Sequence, residues 1–432
     1  MAVSSKTLIR SIMIFGGAQV ITVLAAILRN KIAAKTIGAT GLGLSSIYIA
    51  ISQLVANSSN MGLPDSGVQT ISRLYADNND LQSPALRQGI ASLRTWEVIT
   101  AALSFVVMIV FSPLLSLIYF GSVHSHLHSL MLLSLVPGAI IITGIETAIL
   151  KSLQATKLLT QTIIISAIAS VVISVPLYIY AGWNGIIFVV VASFVTNAAI
   201  ALFLSFKKCS VMPSLFLMMH PRQLWSTTSS MVLLGLSFII TGIGSMGAEL
   251  LTQTYLTTTA SLAMVGLYKA GYQFAITYPS MIFTAVNSDY YPRLSAIGND
   301  IAERNILVAK QIKALLIVTI PCIAVFIVLL PIIVPLMLSS EFLSIVTMVR
   351  IGCIAVIIRC ISLPICFIPL ATGKKRDFIQ MELCSNIVSV LCIIIGYHAM
   401  SLEGIGIGII ASNLFDLIYG YLLGKIKYGL KL

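Results

Sequence analysis

Long apolar runs recur from one end of the chain to the other, separated by short polar stretches. Twelve of them reach the ~20 residues a helix needs to cross a hydrocarbon core: about 11–36, 42–61, 92–118, 128–150, 159–181, 186–206, 226–258, 262–286, 310–337, 343–371, 378–399 and 404–424. An all-α integral membrane protein of twelve transmembrane helices follows, because a backbone in lipid must satisfy its own hydrogen bonds. Lys6 and Arg10 ahead of apolar Ser11–Leu28 resemble a signal peptide. The helical pattern continues through Arg29–Ile37 without a small-residue cleavage site, so the stretch reads as an uncleaved first span. The longest polar stretches, Gly62–Arg87 and Asn287–Lys313, are short enough for loops with surface helices and leave no room for a separate soluble domain.

Charge gives these spans a direction. Mean hydropathy is +1.01, 58% of residues are hydrophobic and 9% are charged. Of 26 Lys and Arg residues, 20 fall in segments on one side of the alternating spans, Arg94 among them, and at most Lys35 lies on the other. This is a positive-inside signal that puts both termini in the cytoplasm. The net charge of +12 then needs no nucleic acid to explain it, and no basic stripe with interleaved aromatics lies outside the apolar spans. Seven cysteines without a CxxC pair indicate neither a disulfide framework nor a zinc site. There is no Walker loop, no H-E-x-x-H and no Ser-His-Asp set, so no enzyme chemistry and no cofactor is expected.

The chain also repeats itself. Ala181-Gly-Trp-Asn-Gly-Ile-Ile and Ser401-Leu-Glu-Gly-Ile-Gly-Ile lead into spans six and twelve, 219 residues apart on the glycines Gly185 and Gly404. The same shift matches Ala192-Ser193 to Ala411-Ser412 and Lys208 to Lys427. Gly41-Leu-Gly-Leu and Val265-Gly-Leu-Tyr open spans two and eight at an offset of 223. A duplication predicts two six-helix bundles of equal orientation, residues 1–206 and 226–432, joined by a cytoplasmic linker at 207–225.

Four stretches, Gly38-Ala-Thr-Gly-Leu-Gly, Gly62-Leu-Pro-Asp-Ser-Gly-Val-Gln-Thr-Ile-Ser-Arg, Val265-Gly-Leu-Tyr-Lys-Ala-Gly-Tyr and Tyr291-Pro-Arg-Leu, carry a likeness along the whole chain. Together they resemble the polysaccharide-exporter branch of the MOP flippase superfamily, the oligosaccharide-lipid flippases of the Wzx type. The resemblance implies the MATE-like MOP fold, two bundles forming a V, alternating access and a cationic central cavity. It implies a polyprenyl-pyrophosphate oligosaccharide as substrate, moved to the outer leaflet for O-antigen, capsule or other surface polysaccharide. A polysaccharide polymerase and a chain-length regulator are the implied partners, and a bacterial inner membrane the implied setting. Lipid II flippases share the fold but carry an Arg followed by Asp in span one, and fourteen spans; here Asn30 follows Arg29 and twelve spans are found.

Six basic residues lie within or at the edge of spans: Arg29, Lys31, Lys35, Lys269, Arg350 and Arg359. A charge at membrane depth costs about 2.5–3.5 kcal/mol even on the mildest scale, so it normally faces water or a partner. Arg29, whose guanidinium fork suits a pyrophosphate, heads the substrate-binding candidates, followed by Lys269, Arg359, Lys31 and Arg350. The bland alternatives are helix–helix ties and snorkelling. Arg350 and Arg359 fall on opposite faces of one helix, and Arg359 is the deeper. Glu249 is the expected resting partner of Arg29, while Glu146 and Asp416 suit charge pairing or ion coupling. Glu382 is placed at the inner interface.

Gly242-Ile-Gly-Ser-Met-Gly247 matches a dinucleotide fingerprint by letter, but inside an apolar span it reads as a helix hinge or a close-packing site. His124-Ser-His-Leu-His128 reads as an outer turn rather than a metal site. Two other functions stay open: a MATE-type cation-coupled multidrug antiporter, disfavoured because bases outnumber acids at depth, and a non-transporting scaffold of a glycan-assembly complex, which has no need for buried charge.

Overall fold

The computed structural model describes residues 5–78, 80–124, 126–213, 221–297 and 300–431. Residues 214–220 of the expected linker and the side chains of Lys6, Arg10, Arg222 and Lys375 lie outside the described residues. Every regular element among the described residues is a helix. In order these are α1 (Ser5–Thr36), α2 (Gly38–Ser59), α3 (Leu63–Asn78), α4 (Pro84–Phe120), α5 (Leu127–Leu133), α6 (Leu135–Ser152), α7 (Thr156–Ala181) and α8 (Gly185–Lys208). Then follow α9 (Pro221–Thr259), α10 (Leu262–Tyr272), α11 (Tyr278–Ile297), α12 (Ile301–Met337), α13 (Val346–Ala371) and α14 (Lys375–Tyr428). Among the described residues, seven helical segments are long and apolar enough to cross a membrane by length and composition, which makes this a multi-pass membrane protein.

The helices are apolar outward and small or polar inward, as lipid-facing helices are. On α4, Val106, Val110 and Leu114 are exposed, while Ser104, Met108, Ser112 and Ser116 form a buried stripe at four-residue spacing. The buried hydroxyls are satisfied along their own helix, Ser104 and Ser112 donating to the carbonyls of Ala101 and Ile109, both at 2.8 Å. That pattern reverses a water-soluble helix, and at Ser104 and Ser112 it leaves no hydroxyl unpaired.

The chain divides into two compact units, 1–37 with 44–246 and 38–43 with 247–432, and passes between them inside α9 at Met246–Gly247. In the first unit, α1 packs on α7, and α8 on α6 and α7. In the second, α13 packs on α14, α12 and the π turn at Gln273–Thr277. Residues 38–43 belong to the second unit because Gly43 and Gly266, the glycines matched by the 223 offset, touch backbone to backbone. A Cβ on Gly43 would lie 2.0 Å from the Leu262 carbonyl oxygen, and one on Gly266 1.9 Å from that of Ala39. The Glu341 carboxylate accepts the Ala39 N–H at 3.2 Å, putting an anion at the N-terminus of α2.

The duplication shows in the backbone. Gly182 ends α7 with φ 50°, ψ −123°, and Ser401, 219 residues on, breaks α14 with φ 52°, ψ −129°. The turn is the same, and in the second copy a serine holds a conformation that glycine adopts without strain.

Candidate functional site

Two cavities hold the deep arginines, one in each unit. In the first unit Arg29, on α1, lines a cavity of about 210 Å³ with Ser166 and Ser170 of α7 and Asn197 of α8. Its guanidinium donates to the Ser170 hydroxyl at 3.1 Å. Among the described residues, none that lines the cavity is acidic. A hydroxyl satisfies a donor but leaves the positive charge uncompensated. The side-chain oxygen of Asn197 is buried without a hydrogen-bond partner among the described residues, so a carboxamide beside Arg29 is also poised to bond something that enters.

In the second unit Arg359, on α13, lines a larger cavity of about 420 Å³ between α13, the two arms of α14 and the π turn. Its guanidinium is paired with Asp416 at 3.0 Å, and the other Asp416 oxygen accepts the Ser385 hydroxyl. Glu382 lines the same cavity rather than the inner interface where its proximity to Lys374–Arg376 had put it. With Ser389, Asn386 and Asn413 the wall is rich in donors and acceptors, and its formal charge is negative, two carboxylates against one guanidinium.

One side of each cavity is built on the same positions of the repeat. Ser166, Ser170 and Asn197 of the first stand 219 residues before Ser385, Ser389 and Asp416 of the second. The same shift carries Ile163 to Glu382 and Ala167 to Asn386. The rest of each wall does not correspond: Thr22, Ala25, Ala26 and Arg29 of α1 complete the first, while α10, the π turn, α11 and α13, with Arg359, complete the second. At these positions of the repeat the second wall has Glu382, Asn386 and Asp416 where the first has Ile163, Ala167 and Asn197, so the first is neutral apart from its cation.

The remaining charges are distributed unevenly. Lys269 bonds the Glu249 carboxylate, which also accepts from Gln253 at 3.0 Å, so Glu249 has Lys269 rather than Arg29 as its partner. Arg350, in the second turn of α13, is exposed and does not line the Arg359 cavity, as its position opposite Arg359 requires. Lys31 is half-buried on α1 and Lys35 exposed. Glu146 is fully buried and paired twice with Arg94, at 2.8 and 2.9 Å. Arg94 also donates to the Cys209 carbonyl and the Ser205 hydroxyl and lies over the Phe206 ring at 3.8 Å. A guanidinium with all its faces occupied is a structural tie, here fastening α4, α6 and the end of α8. The sequence counts Arg94 as cytoplasmic, and it is 1% exposed. Beside it, buried Glu97 keeps one carboxyl oxygen without a partner among the described residues.

Of the hinge glycines, Gly247 has open space where a Cβ would sit, and at Gly242 the nearest atom is Asn57 Oδ1 at 4.0 Å. Neither admits a neighbouring backbone, in contrast to Gly235, where a Cβ would lie 2.1 Å from the Met61 carbonyl oxygen. Gly244 stands between them in α9, half-buried. His126 stacks on Phe120 with ring centres 3.9 Å apart and hydrogen-bonds Tyr48 at 3.0 Å. Among the described residues no three His, Cys, Asp or Glu side chains converge to hold a metal.

Comparison with solved structures shows that this helical fold is shared with transporters of the MOP superfamily. The chain is similar to an inward-facing multidrug-resistance MATE-family transporter of that superfamily, with TM-score 0.77, 13% identity and 94% of each chain covered. An outward-facing structure of such a transporter gives TM-score 0.68 at 14% identity, covering 97% of this chain and 94% of the other. A MOP-superfamily transporter from Pyrococcus furiosus, described as having a binding pocket of reversed polarity, gives 0.67 at 14% identity with the same coverage. At this identity the likeness establishes the fold. The profile of the family described as polysaccharide biosynthesis protein matches residues 41–347, and the chain belongs to that family. No curated protein sequence matches it.

Proposed function

We propose that this chain is a flippase that moves a polyprenyl-pyrophosphate-linked oligosaccharide from the cytoplasmic to the outer leaflet of a bacterial inner membrane, for surface polysaccharide. The observation that carries this reading is Arg29: a deep guanidinium bonded to a hydroxyl, in a cavity without an acid. Such a group is stabilised by an anion, since its bond to the Ser170 hydroxyl satisfies a donor without neutralising the charge. Lys31, two residues on and so on another face of α1, does not line this cavity. The direction of transport in this reading follows from twelve spans with both termini in the cytoplasm, the topology that the one-sided basic residues imply. Alternating access then carries the pyrophosphate outward, and an inside-negative potential helps by about 2.3 kcal/mol per charge per 100 mV. A cation-coupled drug antiporter is less well supported, because Glu249, Asp416 and Glu146 each hold a base. The test is glycan export in cells at matched membrane abundance. Arg29→Ala is expected to abolish export, and Arg29→Lys to retain part of it as a point charge without the fork. Full export by Arg29→Ala overturns the reading.

A further inference from the structure

The two cavities do not suit the same part of such a substrate. Resting on the flippase reading, we propose that the Arg359 cavity is a carbohydrate subsite that recognises sugar hydroxyls, and that the Arg29 cavity alone takes the pyrophosphate.

Charge decides against an anion in the second cavity. Arg359 is neutralised by Asp416 at 3.0 Å, and Glu382 adds a further negative charge to the wall. A pyrophosphate entering there meets two carboxylates at short range, and like charges in a poorly solvated site repel strongly. Size decides against a bare metal ion. The cavity holds about 420 Å³, within the range of small-molecule sites of roughly 300–1,000 Å³, and an inorganic cation near Asp416 would have to displace a guanidinium already bonded to it.

What the wall offers is a mixture of donors and acceptors. Ser389 and Ser412 present hydroxyls, Asn386 and Asn413 carboxamides, and Asp416 and Glu382 carboxylate acceptors. Asn413 spends its N–H on the Ile409 carbonyl at 2.9 Å and Ser412 its O–H on the same oxygen at 3.0 Å, so the side-chain oxygens of both remain as acceptors for a ligand hydroxyl. Tyr272 and Phe283 add aromatic surface on another side. A polyhydroxylated ring, with many O–H groups and no charge, matches that inventory. The repeat supports the assignment: Glu382 and Asn386 stand where the first wall has the apolar Ile163 and Ala167, and Asp416 where it has Asn197, so the second wall has more hydroxyl-bonding groups with no added positive charge.

The experiment uses the full chain in lipid nanodiscs. Saturation-transfer NMR is recorded with free glucose, galactose, rhamnose, N-acetylglucosamine and glucuronate, and ³¹P line broadening with inorganic pyrophosphate. At least one sugar is expected to receive saturation, reduced about fivefold or more by Ser389→Leu and by the smaller change Asn413→Ala, as for loss of a hydrogen-bonded contact, and unaffected by Arg29→Ala. Pyrophosphate broadening is expected to disappear with Arg29→Ala and survive Ser389→Leu. Variants are compared only where thermal unfolding shows a folded protein, and Asn413→Ala serves if Ser389→Leu is not. The proposal is overturned if no sugar receives saturation, if the transfer ignores both variants, or if either variant removes pyrophosphate binding. It is also overturned if ²³Na relaxation reports a sodium site lost in Asp416→Asn while the sugars stay silent. Failure of the flippase reading appears separately, as a blank pyrophosphate arm with the sugar arm intact.

Discussion

Arg29 and Arg359 occupy cavities that share one repeated side, yet one guanidinium bonds a serine and the other an aspartate. The arginines come from different helices, α1 and α13, and the repeat position that holds Asn197 in the first unit holds the pairing Asp416 in the second. An arginine with a neutral neighbour keeps its charge available for a ligand, at the cost of holding that charge in a low-dielectric place. An arginine with a carboxylate becomes part of the wall. Which of a membrane protein's buried cations serve function is therefore decided by their partners more than by their depth.

Breaking each cation in turn separates the roles. The largest effect on stability is expected from Arg94→Ala, which leaves Glu146 buried and unpaired, a loss of about 3–5 kcal/mol seen as a collapse of thermal stability in detergent. Arg359→Ala is expected to cost less, about 1–2 kcal/mol, because Arg359 is 34% exposed and its pair with Asp416 is screened; adding Asp416→Ala should recover most of it. Arg29→Ala is expected to change stability by under about 1 kcal/mol, since only a bond to a serine goes. A large fall in melting temperature for Arg29→Ala would remove the contrast between the two cavities.

The repeat frame has its own test. Ser401→Gly should stabilise the break in α14 by about 1 kcal/mol and Gly182→Ser should destabilise the equivalent turn by a similar amount, as positive φ demands. Opposite shifts in melting temperature would show that the two turns are held alike. Smallest in stability are Gly242→Ala and Gly247→Ala, which meet open space and are expected to raise helix stability by up to about 1 kcal/mol while slowing export if α9 bends during transport. A loss of stability in both would mean that the glycines serve packing instead.

Much of this was legible in the sequence. The apolar runs specify helices, and the offset of 219 announces a duplication before any coordinates exist. Ion-pair partners were not legible, because they depend on which helices meet. Arg94 sits near the start of a basic-flanked run and reads as cytoplasmic, although tertiary packing buries it against Glu146. Glu249 lies nearest Arg29 by repeat arithmetic and pairs with Lys269 across one tight turn. Glu382 has basic neighbours in sequence and a polar cavity in space. Ser170 and Asn197, which define the Arg29 cavity, carry no charge and so raise no signal on their own. Applying the repeat shift to Ser389 and Asp416 would have found both. The π turn at Gln273–Thr277, which sets Tyr272 against the second cavity, has no signature in the local sequence.

The central claim is that Arg29 serves the substrate because, among the described residues, no carboxylate in its cavity neutralises it. The most direct measurement is glycan export and thermal stability of Asn197→Asp, which gives the first cavity the carboxylate of the second. The account predicts export as low as in Arg29→Ala with a melting temperature equal to or above that of the unaltered protein. Full export by Asn197→Asp, at normal abundance in the membrane, would contradict it.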